Sequence, residues 1–570
     1  MLTSAWIIPL GIAVGVLVSL APSRIARLRM SQRIARGLKV PQRVVDVDPA
    51  QLASYDMRQG PYASGDVLDE RTWEDLDLDA VFGRVDRCAS QPGRQLLYHM
   101  LRRPSLDGVT VLAFDASVET MRRDPAALAR VRHALIPLAT RQAARLETSL
   151  FGALPARPAL WWVFPLLTVL SVSLLALIVV WPLALIGWIG VCIATMIAQM
   201  LYRPRVREFV PAMQALPDFI DVSRALGAMA LPGLADECAV LREGAARLRG
   251  LESTTGWLRF DNSVANELAG SLYEYGNLLF ALDLTAFVLT TTRLQAVRET
   301  AQAMYRALGR IDAMHSIATW RDTLPAWTAP VFTSPGKALH CESLVHPLLE
   351  AGVPNSLHVH DTSVLVTGSN MSGKSTFLRA LGVNAVLAQA VGTVCASTWN
   401  APVLHVRTSI GQGDSLLDGK SLYMAEIDAV KRMLDEKAGG AQHLFLLDEL
   451  FRGTNTPERV AAGYATLAWL DRGDDVVVVA THDLELSRLL GARFEAYHFR
   501  EQVTDESLAF DFRIRPGLSS TRNAIALLRL SGFPAGLVAE ANATLTAREA
   551  EVPAERSPRD PVGATPRSAP

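Results

Sequence analysis

The first stretch that could do chemistry is the loop at residues 368–376, which combines two glycines with a lysine and several hydroxyl side chains. It reads G-S-N-M-S-G-K-S-T, follows the apolar run 364–366 and precedes the helix-favouring sequence F-L-R-A-L. Gly368 and Gly373 permit backbone angles and close approaches that a Cβ would block. The loop N–H groups can then point at an anion beside the positive end of the following helix. The spacing G-x-x-x-x-G-K-S therefore predicts a phosphate-binding loop.

The side chains of this loop suit a nucleoside triphosphate, ATP, together with Mg²⁺. Lys374 can reach the β- and γ-phosphates, and the Ser375 hydroxyl can bind the metal ion. A chance glycine turn is the alternative, and it is disfavoured because a strand and a helix flank the loop as required. The predicted nucleotide-binding residues are Gly368, Ser369, Asn370, Met371, Ser372, Gly373, Lys374, Ser375 and Thr376.

Two carboxylates follow a second apolar run, residues 444–447. Ligands of parallel sheets gather at the carboxyl ends of the strands, so Asp448 and Glu449 are expected beside the loop. Asp448 would hold Mg²⁺, directly or through water. Glu449 would polarise the attacking water as a general base or positioning group. An ordinary strand ending in a solvated acidic pair is the alternative, and it would be favoured if no phosphate loop lay upstream.

A third apolar run, residues 476–480, ends in Thr481 and His482. Just past a buried strand of this kind of fold, His482 would lie beside the γ-phosphate and report its presence. We therefore predict that His482 acts with Lys374 and Glu449 as a catalytic residue. A purely structural histidine is the alternative.

The 570-residue chain is half hydrophobic, with a mean hydropathy of +0.19 and a formal net charge of −1. Its length favours about two to four domains. With so little net charge, no global field attracts the chain to nucleic acid, although a local basic face is not excluded. The five cysteines are scattered without a C-x-x-C pair. This pattern argues against a disulfide framework or a zinc site and favours a reducing compartment.

Residues 1–23 carry no charged side chain, and basic side chains follow between residues 24 and 43. A cleaved signal peptide would carry its positive charge before the apolar core. The pattern therefore predicts an uncleaved transmembrane helix whose C-terminal side faces the cytoplasm. A helix lying in the membrane interface is the alternative, because the apolar run is near the short limit for a span.

Residues 158–202 also carry no charged side chain and are flanked by arginines. One span needs ~20 apolar residues, so this run predicts a transmembrane hairpin of two helices with its turn near Trp181 and Pro182. With the first helix, we expect three spans in the lipid bilayer of the inner (plasma) membrane. The N-terminus would lie outside and the C-terminal domain in the cytoplasm. A buried hairpin in a large soluble core is the alternative.

The nucleotide-site segments resemble the ATPase domain of the MutS family of mismatch-repair proteins, members of the ABC ATPase class. Residues 367–376 are similar to the family's T-G-P-N-M-G-G-K-S-T, and L-D-E-L-F-R-G-T-N-T at 447–456 is similar to its L-D-E-x-G-R-G-T-S-T. Three further segments resemble family motifs: R-T-S-I-G followed by an aspartate at 407–414, D-G-K-S-L-Y-M-A-E at 418–426, and A-T-H at 480–482. The resemblance is strong over about 340–540 and fair over 71–150 and 265–322.

This resemblance implies a homodimer in which two ATPase domains meet head to tail and each completes its partner's nucleotide site. Ser421, with Glu426 nearby, would be the contribution in trans. ATP would then favour closure of the dimer, because ADP lacks the γ-phosphate that the second chain contacts.

The chain also departs from the family pattern. Ser369 and Ser372 stand where the family has proline and glycine, and Leu422 and Tyr423 replace Thr-Phe in the segment that acts in trans. The F-x-E motif of the mismatch-reading domain is not found before residue 71, so we expect that domain to be absent.

The expected fold is multidomain: helical membrane segments and an all-α core or lever-like domain, followed by an α/β P-loop ATPase domain of the ABC type. The expected parts are a transmembrane helix at 1–23, a basic juxtamembrane segment and linker at 24–70, a helical core-like segment at 71–157, the transmembrane hairpin at 158–202, a helical lever- or core-like domain at 203–330, the ATPase domain at 331–550 and a disordered tail at 551–570.

The expected function is that of a membrane-anchored MutS-like ATPase that binds and hydrolyses ATP at a composite dimer site, with mismatch-repair-like DNA handling as an open output. The alternative is an ATP-dependent switch that regulates an unknown membrane partner without mismatch recognition. The presence of Glu449 disfavours a binding switch without turnover, and the uncharged spans disfavour a transporter. The arginines of residues 121–145 are more simply explained as solvated helix faces than as a surface for duplex DNA.

Overall fold

A computed structural model describes the chain over residues 48–59, 67–154, 158–206, 209–251, 275–369, 371–410, 422–437, 441–503, 508–518 and 532–551, with residues 525, 528 and 529. The predicted span at 1–23, the basic segment that follows it and the predicted tail beyond Glu551 lie outside these residues.

The N-terminal half of the described chain is helical. Several of its helices begin at a side chain that caps the first turn, as Asp48, Ser90, Asp107 and Asp124 do by accepting from backbone N–H groups. The first helices are Pro49–Arg58, Glu70–Asp75, Leu78–Val85, Gln91–Arg102, Gly108–Arg122, Pro125–Leu135 and Leu146–Phe151, with 3₁₀ turns at Ile136–Leu138 and Ala143–Arg145. The later helices are Val163–Leu177, Ala184–Val206, Val210–Gly227, Ala235–Arg247 and Leu282–Arg321, with a short helical segment at 275–280.

The prediction of a linker over residues 24–70 is wrong for Pro49–Arg58, which is a helix packed into the core. Tyr55 is 1% exposed, and the buried Asp56 carboxylate accepts from His99 at 2.6 Å and from Arg103 at 2.9 Å. Asp48 and Pro49, residue types that are common in turns, are instead the N-cap and first position of this helix.

The long helix Leu282–Arg321 forms the centre of the helical part and packs closely on Gln91–Arg102. A Cβ at Gly93 would lie 2.1 Å from Oδ2 of Asp312, so only glycine fits at this crossing. Asp312 in turn accepts from the N–H groups of Ala89 and Ser90, each at 2.8 Å. The predicted segments 71–157 and 203–330 therefore share one core and do not form separate units.

The uncharged run 158–202 forms two antiparallel helices, Val163–Leu177 and Ala184–Val206, joined at the predicted turn around Trp181 and Pro182. The second helix continues four residues beyond the predicted boundary. Many large apolar side chains of this hairpin are exposed, among them Trp162, Val169, Val180, Ile186 and Met200.

By length and composition, one stretch of the described residues could cross a membrane: Ala184–Tyr202, with a mean hydropathy of 2.0 over its most apolar window, 28% of which is buried. Val163–Leu177 has 15 residues. At ~1.5 Å per residue such a helix is about 22 Å long, short of the ~30 Å apolar thickness of a bilayer. The prediction of two full spans within 158–202 is therefore not supported by the described helices.

The hairpin contacts a break between two helical segments, residues 275–280 and Leu282–Arg321. Ala281 has a left-handed φ of +49° there, and backbone carbonyl groups near the break accept hydrogen bonds from side chains of the hairpin. Thr168 Oγ1 donates to the Phe280 carbonyl at 2.7 Å, and Ser171 Oγ donates to that of Leu279 at 3.1 Å. Gln199 Nε2 donates to the Asn277 carbonyl, which also accepts from the Ala281 N–H at 2.9 Å. These polar groups of the hairpin thus face protein.

The C-terminal half contains two sheets. The strands are β1 Val331–Phe332, β2 Ala338–Leu344, β3 Asn355–His360, β4 Ser363–Thr367, β5 Thr398–Ala401, β6 His405–Ser409, β7 His443–Asp448, β8 Val476–Ala480, β9 Phe494–Val503 and β10 Leu508–Pro516. A six-stranded sheet has the order β10-β9-β4-β8-β7-β6, parallel except for β10, and a four-stranded sheet has the order β1-β5-β2-β3. The helices are Lys374–Val391, Leu422–Lys437, Thr456–Leu470, Leu484–Leu490 and Ala535–Glu551, with a 3₁₀ turn at Gly491–Arg493.

The helix Lys374–Val391 connects the larger sheet to the helical part. Its Gly382 fits between Leu446 of β7 and Leu76, where a Cβ would lie 2.7 Å from each side chain. At its C-terminal end, the buried Arg321 donates to the Gly392 carbonyl at 2.8 Å and to Thr393 Oγ1 at 3.0 Å. The helix that follows the glycine loop is therefore fixed along its length.

Candidate functional site

The predicted strand, loop and helix are present in the order that the sequence indicates. The strand β4 is buried throughout and ends at Thr367, and the helix begins at Lys374. Gly368 and Gly373 have φ values of +143° and +108°, in the region that favours glycine. A Cβ at Gly368 would lie 2.9 Å from Ser372 Oγ and 3.0 Å from the Phe499 carbonyl oxygen. The loop conformation thus requires glycine at this position.

The Lys374 side chain is buried within this loop, with 5% of its surface exposed. Its ammonium group donates to the carbonyl oxygens of Gly368 and Ser369, both at 2.8 Å. Burial lowers the pKa of Lys374, while the nearby carboxylates of Glu449 and Asp448 act in the opposite direction. The ammonium therefore lies between the loop carbonyls and the acidic pair.

The parallel register brings the ends of β4, β7 and β8 together. Val366 pairs with Ala480, which pairs in turn with Asp448. Ser375 Oγ, at the start of the helix, donates a hydrogen bond to Asp448 Oδ2. Burial raises the pKa of Asp448, and the hydrogen bond from Ser375 opposes that rise. A hydroxyl and a carboxylate at one point are the hard oxygen ligands that Mg²⁺ prefers, so these two residues fit a magnesium ion.

Glu449 lies next to this pair, and its two carboxylate oxygens face His482 and Arg452. One carboxylate oxygen is 3.2 Å from Nδ1 of His482, and the other is 2.9 Å from Nε of Arg452. The hydrogen bond with His482 lowers the pKa of Glu449, and the same bond raises the pKa of His482. The predicted set Lys374, Asp448, Glu449 and His482 is thus assembled at one edge of the sheet.

The backbone after β7 is unusual. Glu449 and Phe451 both have left-handed φ values, +53° and +59°, in residues other than glycine. Each such conformation costs roughly 1–2 kcal/mol. The Phe451 ring is 6% exposed and packs with Leu447 and Val479 in the core, and burial of an aromatic ring contributes about 1.5–3 kcal/mol. The buried ring therefore offsets the strain of the loop that carries Glu449.

The remaining predicted residues differ in their surroundings. Ser369 Oγ donates to Glu501 of β9, the exposed Met371 has a φ of +72°, and Thr376 is exposed in the first turn of the helix. Ser372 Oγ is buried and has no hydrogen-bond partner within the described part of the chain. Asn370 and Ser421 lie outside the described residues, so their predicted roles stay predictions.

The sequence interpretation missed two arginines in this region. Arg452 contacts Glu449, and Arg459 forms a two-point ion pair with Asp483 at 2.9 and 3.0 Å. Both line a concave pocket with Glu449, His482 and Asp483. Arg452 lies in the R-G-T segment already noted in the sequence, and that segment was the available signal. Arg459 lies in the helix Thr456–Leu470, and no sequence signal distinguished it from other helix residues.

Comparison with known proteins relates this half of the chain to a family. Residues 364–549 match the family model described as MutS domain V. The chain is 33% identical over 265 residues to a DNA mismatch repair protein MutS of Thermus thermophilus, covering 45% of this chain and 31% of that relative. It is 28% identical over 317 residues to MutS of Streptococcus gordonii, covering 52% of this chain and 37% of that relative.

A DNA mismatch repair protein MutS 2 of Halobacterium salinarum is 32% identical over 276 residues, covering 47% of this chain and 31% of that relative. The chain thus spans about a third of the length of the curated relatives it matches. Its C-terminal half, with the glycine loop and the acidic pair, is homologous to the MutS family of DNA mismatch repair proteins.

Proposed function

We propose that this MutS-like chain is a membrane-anchored ATPase, which binds ATP on the loop 368–376 and hydrolyses it with Glu449 as the general base. The contact between Ser375 and Asp448 is the observation that carries this proposal, because it joins the phosphate loop to the acidic strand end. MutS relatives over the same half of the chain support the assignment at the level of the family.

Mg²⁺ would be held by Ser375 and Asp448, and when bound it would neutralise charge on the phosphate oxygens. Lys374 would leave the carbonyls of Gly368 and Ser369 and bind the β- and γ-phosphates. Glu449 would orient the attacking water and accept its proton. His482, hydrogen-bonded to Glu449, would hold one carboxylate oxygen of that base in place.

We further propose that the functional unit is a homodimer formed through the ATPase domains. By resemblance, Ser421 would contact the nucleotide of the partner subunit, and ATP would favour the closed pair. The proposal is supported by the exposed edge of the site, where Met371 and Thr376 face solvent beside the loop. A second chain could cover this edge without displacing any buried residue.

The membrane part of the proposal depends on the hairpin at residues 163–206. Its exposed apolar side chains form a surface that water does not favour, and several of its polar groups bond to the break at Ala281. We propose that this surface contacts the lipid of the inner (plasma) membrane and that the sheet domain lies in the cytoplasm. The span proposed at residues 1–23 would add a second point of attachment.

Two outputs of ATP turnover are proposed. The curated relatives are named DNA mismatch repair proteins, which favours coupling to duplex DNA. The exposed hairpin, which shares its base with the helix Leu282–Arg321, favours regulation of a membrane partner without DNA. The second output needs no mismatch-reading domain.

The testing experiment is ATP turnover by the detergent-solubilised protein at low salt, alone and with plain or mismatched duplex DNA. Turnover that is lost in Lys374→Ala supports the ATPase, and wild-type protein without turnover contradicts it. Stimulation by mismatched duplex above plain duplex favours the DNA output. Absence of any effect or affinity at low salt, where phosphate contacts are strongest, favours the membrane partner.

A further inference from the structure

The side chain of Glu426 contacts the loop that carries the general base. Glu426 lies in the second turn of the helix Leu422–Lys437, and its Oε2 accepts from the backbone N–H of Arg452 at 3.1 Å. The carboxylate is half-buried, and burial raises the pKa of Glu426. A charged group in such a place is costly unless it is hydrogen-bonded, so this contact is a specific one.

The side chain of Arg452 lies beside Glu449, the proposed general base. Its Nε lies 2.9 Å from Oε2 of Glu449, and its Nη2 donates to the backbone carbonyl of Asp448 at 3.4 Å. Arg452 thus lies against Oε2 of Glu449, while His482 lies against Oε1 of the same carboxylate. Arg452 therefore donates a backbone hydrogen bond to Glu426 and forms an ion pair with Glu449 through its side chain.

The backbone between these contacts needs support. Phe451, directly before Arg452, has a φ of +59°, which residues other than glycine rarely adopt. Where the backbone is strained, the loop keeps its conformation only if surrounding contacts hold it. The Phe451 ring supplies one such contact, and the hydrogen bond from Arg452 N–H to Glu426 supplies another.

We propose that Glu426 is a positioning residue for the hydrolysis: by fixing the Arg452 backbone it aims the Arg452 guanidinium at Glu449, and so orients that carboxylate toward the attacking water. This inference rests on the proposed function. The resemblance to the MutS family had placed Glu426 beside the group that acts on the partner's nucleotide. The structure gives it a role within its own subunit.

The predicted effect is on the chemical step and not on nucleotide binding. A general base must lie within hydrogen-bond reach of the water, and misplacement by about an ångström can cost as much as a hundredfold in rate. The hydrogen bond of Glu426 goes to the backbone of Arg452, outside the phosphate loop, so nucleotide affinity should be little affected when Glu426 is changed.

The test compares Glu426→Ala with Glu426→Gln, in which the carboxamide oxygen can still accept from Arg452 N–H. We expect Glu426→Ala to lower kcat about tenfold while KM for ATP stays within about twofold, and Glu426→Gln to restore most of the rate. Asp435→Ala, on an exposed position of the same helix, is the matched control and should turn over like the wild type. Thermal melting and binding of a fluorescent ATP analogue verify that each variant is folded.

A double-mutant cycle tests the route through Arg452. If Glu426 acts through Arg452, the variant carrying Glu426→Ala and Arg452→Ala should be no slower than Arg452→Ala alone. The inference is overturned if Glu426→Ala turns over at the wild-type rate, if Glu426→Gln is as slow as Glu426→Ala, or if the two changes are additive. A wild-type protein without turnover contradicts the proposed function instead.

Discussion

The hydroxyl of Ser375 donates a hydrogen bond to Oδ2 of Asp448, a residue 73 positions further along the chain. The two residues meet because β4 and β7 are both paired in parallel with β8, so that their carboxyl ends lie at one edge of the sheet. Glu449 and His482 occupy the same edge. The arrangement places the proposed metal ligands, phosphate loop and general base within one small region.

Glu449→Gln should bind ATP and hardly hydrolyse it. The carboxamide preserves the shape of the side chain but cannot accept a proton from water, and general-base catalysis is worth about 10²–10⁴ in rate. The measurement is single-turnover hydrolysis together with the equilibrium affinity for ATP. An unchanged rate would remove Glu449 from catalysis.

The strain at Phe451 predicts an unusual order of stabilities. In most places glycine is less stable than alanine, but at a left-handed φ alanine carries a penalty of roughly 1 kcal/mol that glycine does not. Both Phe451→Ala and Phe451→Gly lose the buried ring, so both should destabilise the fold. Denaturant unfolding should show Phe451→Gly to be more stable than Phe451→Ala by about 1 kcal/mol. The reverse order would contradict the left-handed conformation.

His346 should make the protein sensitive to acid. Burial lowers the pKa of His346 from 6.5 to about 4, and its Nδ1 accepts from the Leu348 N–H at 3.3 Å, which requires the neutral ring. Because the folded pKa is below the unfolded one, this stability is complete above about pH 6.5 and is lost as the pH falls toward 4, by roughly 3 kcal/mol at most.

His346→Gln should flatten the loss of stability over that pH range. The measurement is the free energy of unfolding at several pH values for both proteins. Asp77 raises the pKa of His346 and Arg379 lowers it, so the two charges oppose each other and should not reverse the direction of the pH dependence. Equal pH dependence in the variant and the wild type would exclude His346 as the acid-sensitive group.

The proposed membrane contact of the hairpin can be tested by chemical labelling of a residue at its turn. Val180 is 83% exposed at the tip between the two helices. If the hairpin crosses the membrane, a cysteine in Val180→Cys should react with an impermeant maleimide applied outside intact cells. Asp435→Cys in the sheet domain should react only after lysis, and the parent protein with its natural cysteines is the background. Labelling of Val180→Cys only after lysis would contradict the topology.

The sequence predicted the parts of the site that depend on local pattern. The loop glycines, the apolar runs that become β4, β7 and β8, and the polar residues at their ends are short-range signals. The contact of Ser375 with Asp448 followed from the general rule that parallel strands bring their carboxyl ends together. The turn near Trp181 was predicted from a local signal as well, because a proline interrupts an otherwise uniform apolar run.

Three features that depend on distant contacts, and that no general rule of strand order indicates, were not predicted. Pro49–Arg58 read as a linker because its polar residues are turn formers, and only the packing of Tyr55 makes it part of the core. The break at Ala281 depends on carbonyl partners from residues 168–199, more than 70 positions away. The placement of Arg452 against Glu449 follows a left-handed backbone at Phe451, which a phenylalanine in the sequence does not suggest.

The most direct test of the account is the affinity of the purified protein for ATP, measured by calorimetry with Mg²⁺ and with EDTA. The wild type should bind ATP at least about tenfold more tightly with Mg²⁺, a difference of ~1.4 kcal/mol. Ser375→Ala and Asp448→Asn should lose that difference, while Thr362→Ala, which removes a hydroxyl just before β4, should keep it. The central claim, that Ser375 and Asp448 hold Mg²⁺ for ATP binding, would be contradicted if the wild type did not bind ATP. It would also be contradicted if the Ser375 and Asp448 variants kept the full effect of Mg²⁺.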